Sequence, residues 1–190
     1  MKAVFTPING ISGLTKLYPA RKAQQTNSNV LMRRLLHVII LLLWVLLLSM
    51  FFAETEIQIE GANGWAASLP TWRIEKHLLL DIFWGGRAMT GYHAWVFSFM
   101  FLVFHLPPVV QGRFSWRTEA RCIAALMFFW IAEDFLWFVL NPAFGLARFS
   151  QSHIPWHKHW LLGVPTDYLT YMIMGGLLLV WSLMGTRSNN

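Results

Sequence analysis

The sequence has few charged residues and a single cysteine. Asp, Glu, Lys and Arg make up 13% of the 190 residues, whereas about 25% is usual for soluble domains. Because so few charges cannot cover a water-facing surface, the composition argues against a soluble globular protein. With Cys122 as the only cysteine, an internal disulfide and a zinc site built from several cysteines are excluded.

Several functional patterns are also absent from the sequence. There is no Gly-x-Ser-x-Gly segment of a serine hydrolase, and the multi-histidine pattern of membrane desaturases and hydroxylases does not occur. The chain has no internal repeat and no pair of interrupted hydrophobic segments, which argues against a secondary transporter. These absences leave binding proteins, other membrane enzymes and subunits of larger assemblies.

Apolar and aromatic residues dominate what is present. Hydrophobic residues make up 56% of the chain, with 11 Trp and 15 Phe, and the mean hydropathy is +0.46. Aromatic residues collect at membrane interfaces. We therefore predict an integral membrane protein whose surroundings are membrane lipids, with no nucleic acid among its partners.

Four apolar segments predict an all-α fold, an integral membrane four-helix bundle. Each is long enough to cross about 30 Å of hydrocarbon. A polar arm over residues 1–30 precedes the transmembrane domain of residues 31–185, and residues 186–190 form a tail. An organellar targeting segment is the alternative interpretation of the arm. The predicted spans are 35–52, 89–110, 122–140 and 165–184.

The connection between the first two spans, residues 53–84, is predicted to form a lid of loop and interfacial helix. The segment "ETEIQIE" alternates acidic or polar and apolar residues, as a short strand would. The segment "TWRIEKHLLLDIFW" places several apolar residues on one helical face, which predicts a helix lying in the membrane interface.

The distribution of positive charge predicts the topology. Four spans place both termini on one side, and ten of the 15 lysines and arginines fall on that side. The positive-inside rule then places the termini in the cytoplasm, most simply of a bacterial inner membrane. The first and third connections would face outward, into the periplasm. The ten residues are Lys2, Lys16, Arg21, Lys22, Arg33, Arg34, Arg113, Arg117, Arg121 and Arg187.

With this topology, histidines and acids gather toward the outer face. The segment "HIPWHKHW" holds three of the seven histidines, and Glu133 and Asp134 lie roughly 10 Å below the outer end of the third span. A charge at that depth is costly, so each acid needs a proton, a cation or a metal. The candidate ligands are His93, Glu133, Asp134, His153, His157 and Asp167; His159 is a weaker candidate.

These residue types suit a transition metal such as Zn, Fe, Mn or Cu, because imidazole and carboxylate are common ligands of such metals. Glu133 and Asp134 would then also serve as catalytic acid or base. The spacing of His153 and His157 matches no established zinc motif, and Pro155 between them argues against a helix. Two other interpretations stay open: a structural polar network, and a proton or redox relay through His93, Asp134 and Tyr168 or Tyr171.

The segments "IEG…GWA…LPTWR", "TGYH", "EDFLWFVLNP" and "WHKHW…PTDY" resemble a group of small bacterial four-span membrane proteins of unassigned activity. The resemblance covers about residues 57–170. It implies a four-helix membrane architecture and no particular reaction.

The sequence thus predicts a membrane protein with a histidine and carboxylate cluster at its outer face. The leading hypothesis is a metal-dependent enzyme that acts on a lipid-soluble or interfacial substrate. The alternative is a non-catalytic accessory subunit of a larger membrane complex, respiratory or photosynthetic, with other membrane subunits as partners.

Overall fold

The computed structural model describes residues 12–63, 71–154 and 156–184, and the described part is mostly helical. The elements are helices α1 (Ser12–Glu60), α2 (Leu78–Phe83), α3 (Gly91–Gln111), α4 (Trp116–Leu140) and α5 (Thr166–Leu183), strands β1 (Arg73–Ile74), β2 (Met89–Thr90), β3 (Trp160–Leu161) and β4 (Val164–Pro165), and 3-10 turns at Gly61–Asn63 and Leu146–Arg148.

The chain divides into two units, and the boundary lies within α1, between Ile40 and Leu41. In the first unit the backbone from Ser12 onward is helical, and this stretch includes much of the predicted polar arm. The second unit contains the remainder of α1 and all other elements.

Three helical segments are long and apolar enough to cross a membrane: Ser28–Glu60, Gly91–Gln111 and Trp116–Leu140. They contain the first three predicted spans, apart from Met89 and Thr90, which form β2. Large apolar side chains on α3 face outward, among them Trp95, Leu102 and Val109, which are 77%, 68% and 72% exposed. Apolar surface of this kind is stable in contact with the hydrocarbon core of a bilayer. The protein is therefore a membrane protein by the length and composition of its helices. The fourth predicted span is also a helix, α5, but it does not meet the same criterion.

Two apolar clusters hold the second unit together. In the first, Val45 of α1 packs with Met100 and Phe104 of α3 and with Ala125 and Phe129 of α4. The second joins α1 and α4 to the connection after α4 and consists of Ala53, Ile57, Trp137, Phe138 and Ile154. Together they place the C-terminal part of α1 against α3 and α4.

Helix α5 approaches α4 closely at a glycine. A Cβ atom built on Gly175 would lie 3.0 Å from a ring carbon of Phe128, so a larger residue would push the helices apart. Small residues commonly permit such close contact between membrane helices.

The helices end at residues that supply their missing hydrogen bonds. Thr90 caps α3 by accepting from the His93 amide, and Gly112 ends it with φ +61°. Asn141, which is 2% exposed, ends α4: its Nδ2 donates to the Gly61 carbonyl and its Oδ1 accepts from the Ala143 amide. Asn141 thereby joins the end of α4 to the end of α1.

Two predictions for the first connection need correction. "ETEIQIE" is not a strand, because α1 continues to Glu60. The segment also has the spacing of one helical face, which is formed by Ala53, Glu56, Ile57 and Glu60. On this face Ala53 and Ile57 are buried.

The predicted interfacial helix is also shorter than expected. Only Leu78–Phe83 is helical, and the residues before it form β1, which pairs with β2 in antiparallel register. The apolar residues of this segment are nevertheless outward-facing, since Trp72, Leu78 and Leu79 are 52%, 71% and 54% exposed. Part of the predicted lid lies outside the described residues.

Candidate functional site

Four charged side chains form a closed ring at one end of the helices. Arg87 Nη1 donates to Asp134 Oδ1 at 3.1 Å, and Arg87 Nη2 donates to Asp167 Oδ2 at 3.5 Å. His157 Nε2 lies 3.0 Å from Asp134 Oδ2, and His157 Nδ1 lies 3.4 Å from Asp167 Oδ1. Each aspartate therefore contacts both Arg87 and His157. We call this group the ion-pair ring.

The ring draws one residue from each of four parts of the chain. Asp134 comes from α4, Asp167 from the first turn of α5, Arg87 from the turn after α2, and His157 from the connection between α4 and α5. His157 is fully buried. The Tyr168 hydroxyl also donates to Asp134 Oδ2, so both carboxylate oxygens of Asp134 are satisfied.

Two glycines bring Arg87 into the ring. Gly85 and Gly86 have φ values of +58° and +73°, a backbone region that favours glycine. A Cβ on Gly85 would lie 3.2 Å from Asp167 Oδ2. The Gly85 carbonyl also accepts from the Lys158 amide at 3.1 Å, which ties this turn to the residue after His157.

The ring favours the charged forms of Arg87 and His157. Burial alone would lower the pKa of Arg87, but the Asp134 and Asp167 carboxylates raise it above its ordinary value. Burial and Arg87 likewise act to lower the pKa of His157, and the two aspartates outweigh them and raise it. Both nitrogens of the His157 ring face carboxylates, an arrangement that suits the imidazolium form.

A second pair of acids lies beside the ring. The carboxyl groups of Glu56 and Glu133 lie close together, and the Tyr92 hydroxyl donates to Glu56 Oε1 at 2.6 Å. Neighbouring carboxyl groups disfavour each other's charged form, which favours a shared proton. We call Glu56 and Glu133 the carboxyl pair.

The carboxyl pair lies in the wall of a cavity of about 340 Å³. This volume is at the lower end of the range usual for small-molecule sites. Aromatic side chains form much of the wall: Trp84, Phe97, Trp130, Trp137, Phe138 and Trp156. The other charged or titratable lining residues include Asp134 and Arg87 of the ring, His93, and four residues of the connections, Glu60, Arg73, Glu75 and Lys158.

Three polar atoms of the cavity wall are buried without a hydrogen-bond partner among the described residues. They are Glu133 Oε1 and the indole nitrogens of Trp84 and Trp137. The Glu133 residue is 5% exposed. A buried polar atom without a partner costs free energy, so such atoms mark a place where a bound molecule would supply the missing partner.

The structure brings together some of the predicted ligands and not others. Asp134, His157 and Asp167 meet in the ion-pair ring. Glu133 and His93 line the cavity instead; His93 Nδ1 bonds to Thr90 Oγ1 at 2.7 Å. His153 is exposed, and its Nδ1 lies 2.9 Å from Ser150 Oγ, so it takes no part in the cluster.

The described residues contain no group of three or more His, Cys, Asp or Glu side chains arranged to hold a metal ion. Of the three predicted ligands that do meet, Asp134 and Asp167 bind the guanidinium of Arg87, and His157 contacts the other oxygen of each. Arg87 thus supplies a positive charge between the two aspartates.

Two residues of the site, Glu56 and Tyr92, were not predicted from the sequence, and Tyr168 was not predicted to donate to Asp134. Glu56 was assigned to a strand-like loop, although its helical spacing with Ala53, Ile57 and Glu60 was available as a signal. Tyr92 and Tyr168 each stand beside a predicted ligand, His93 and Asp167, in the first turn of a helix.

Comparisons with protein-family models, with curated proteins and with solved structures find no match to this chain.

Proposed function

We propose that this membrane protein binds a lipid-soluble or interfacial molecule in the aromatic cavity and acts on it by proton transfer through the carboxyl pair. The observation that carries the proposal is Glu133, which lines a largely aromatic cavity and whose buried Oε1 has no hydrogen-bond partner among the described residues. Aromatic walls with a few polar groups are typical of small-molecule sites.

Within this proposal, the two predicted catalytic acids take different roles. The carboxylate of Asp134 is fully occupied by Arg87, His157 and Tyr168. Asp134 is therefore a positioning residue that holds the turn carrying Arg87 against α4. Glu133 is the proton-transfer residue, because its Oε1 is available to a bound molecule and a neighbouring carboxyl group can exchange a proton with it.

The proposal is tested by filling the cavity. Val96 of α3 lines it, so Val96→Trp should abolish saturable binding of amphipathic alkyl probes to protein held in lipid nanodiscs. The matched control is Val110→Trp on the same helix, because Val110 is 75% exposed and lies away from the cavity. Equal binding by Val96→Trp and the wild type would refute the ligand site.

The metal-dependent version of the activity stays a prediction, and we propose a mechanism without a metal. Displacing Arg87 from Asp134 and Asp167 would leave a buried guanidinium without its counter-ions, which is strongly unfavourable. Elemental analysis of the purified protein tests this point, since stoichiometric Zn, Fe, Mn or Cu would restore the metal-dependent hypothesis.

We further propose that α5 is a fourth span and that both termini face the cytoplasm of a bacterial inner membrane. In this topology the ring and the cavity face the periplasm. Single cysteines introduced into a Cys122→Ala background test the topology with a membrane-impermeant thiol reagent. Ser152→Cys, between α4 and α5, should react from outside, whereas Ser115→Cys, between α3 and α4, should not.

The accessory-subunit hypothesis stays a prediction as well. A solubilised protein that is monodisperse alone and still binds the probes would count against it. Co-purification of stoichiometric membrane subunits would support it.

A further inference from the structure

We propose that the molecule bound in this cavity carries a protonated amine on an apolar body, and that the amine donates to Glu133. This inference depends on the proposed ligand site and specifies which head group it selects.

The first step is the charge balance of the cavity. Asp134 and Asp167 are matched by the cations of the ring, Arg87 and His157. Among the other lining residues, the two acids Glu60 and Glu75 are balanced in number by the two bases Arg73 and Lys158. Two acids, Glu56 and Glu133, remain beyond the number of these cations. A cationic ligand would offset this excess of acidic groups.

The second step is the hydrogen-bond inventory of Glu133. Its Oε1 is an acceptor and has no donor among the described residues. An ammonium group has only donors, whereas a carboxylate has only acceptors and cannot donate to Glu133. A hydroxyl group can donate one hydrogen bond, but it brings no positive charge to offset the excess of acidic groups.

The third step is the aromatic wall. A cation is attracted to the face of an aromatic ring, most strongly to Trp, and three indole rings besides that of Trp84 line the cavity. The wall already holds one such contact: the Arg87 guanidinium carbon lies 3.9 Å from the centre of the Trp84 ring. The rest of the aromatic surface suits an apolar body.

The experiment compares three probes of equal chain length: a straight-chain alkylamine, the corresponding alcohol and the corresponding carboxylate. Binding to wild-type protein in nanodiscs of zwitterionic lipid is measured, with empty nanodiscs as the blank. We expect the amine to bind about tenfold or more tightly than the alcohol, because hydrogen bonds to charged groups are the stronger ones. This comparison requires no variant to fold.

Variants then assign the preference to Glu133. Glu133→Gln should remove most of the preference for the amine while affinity for the alcohol stays within about twofold. Glu133→Asp, which keeps a carboxyl group, should retain part of the preference for the amine. The matched control is Glu119→Gln on the same helix, because Glu119 pairs with His105 outside the cavity.

The outcomes separate the two proposals. Equal binding of amine and alcohol, both abolished by Val96→Trp, would overturn the amine inference and leave the ligand site intact. Equal losses for both probes in Glu133→Gln would also overturn it. If no probe distinguishes the wild type from Val96→Trp, both proposals fail.

Discussion

Glu133 and Asp134 are neighbours in α4, yet their carboxyl groups lie in opposite chemical settings. Successive helical residues point about 100° apart, and this rotation directs Asp134 toward two cations and a tyrosine hydroxyl. Glu133 meets another carboxyl group and leaves one oxygen without a partner. The ion-pair ring is thus arranged to stabilise the fold, whereas the carboxyl pair leaves Glu133 Oε1 available to a bound molecule.

The largest expected effect comes from opening the ring. Asp134→Ala leaves Arg87 and His157 buried with one shared counter-ion instead of two, and breaking a buried ion pair costs about 3–5 kcal/mol. We expect a correspondingly lower free energy of unfolding in detergent titrations. The matched control is Glu119→Ala in the same helix, which removes a single contact with His105 at 3.1 Å and should cost less. Equal losses would mean that the ring adds nothing beyond an ordinary pair.

The next effect tests how the ring is assembled. Gly85→Ala adds a Cβ at 3.2 Å from Asp167 and forces a side chain into φ +58°, which together should cost about 1–3 kcal/mol. Gly163→Ala is the control, because Gly163 has φ +79° but nothing within 4 Å of its Cβ position. The control measures backbone strain alone, so a larger loss for Gly85→Ala isolates the close approach to Asp167. Thermal unfolding followed by circular dichroism reports both.

The helices were readable from the sequence because apolar length is a strong signal in a membrane protein. The C-terminal ends of the second and third spans fall within one residue of the observed ends, since Gly112 and Asn141-Pro142 mark them in the sequence. Local periodicity failed at "ETEIQIE", where two-residue and helical spacings both fit six or seven residues. The helical arrangement is favoured because Ile57 packs against Trp137 and Phe138. This is a tertiary contact that the local sequence does not show.

The sequence predicts several of the residues that form the site, but not the full set of contacts between them. The sequence predicts that Asp134, His157 and Asp167 gather at one end of the bundle, because topology alone brings those segments together. It does not predict that His157 turns inward while His153 and His159 stay exposed. That choice depends on hydrogen bonds such as the one from the Lys158 amide to the Gly85 carbonyl, which join segments distant in the chain.

A smaller effect concerns the charge of the ring. Since the pKa of His157 is raised in the folded protein, its protonated form stabilises the fold fully below about pH 6.5, the ordinary histidine value. This contribution is lost as the pH rises through the raised pKa. We expect the stability difference between wild type and His157→Asn to shrink with increasing pH above neutrality. The matched control is His159→Asn, at an exposed neighbour of the same residue type; a flat difference for His157→Asn would mean that the ring holds a neutral imidazole.

The smallest expected effect on stability is that of Glu133→Gln, and it gives the sharpest comparison with Asp134. The Gln amide has nearly the same shape as the carboxyl group and can donate to the neighbouring Glu56, so the free energy of unfolding should change by less than about 1 kcal/mol. The same variant should lose ligand binding or activity. Unfolding in detergent and probe binding in nanodiscs are therefore measured on one preparation. If Glu133→Gln destabilised the protein as strongly as Asp134→Ala, the carboxyl pair would be a structural element like the ring, and the distinction between these two neighbouring acids would not hold.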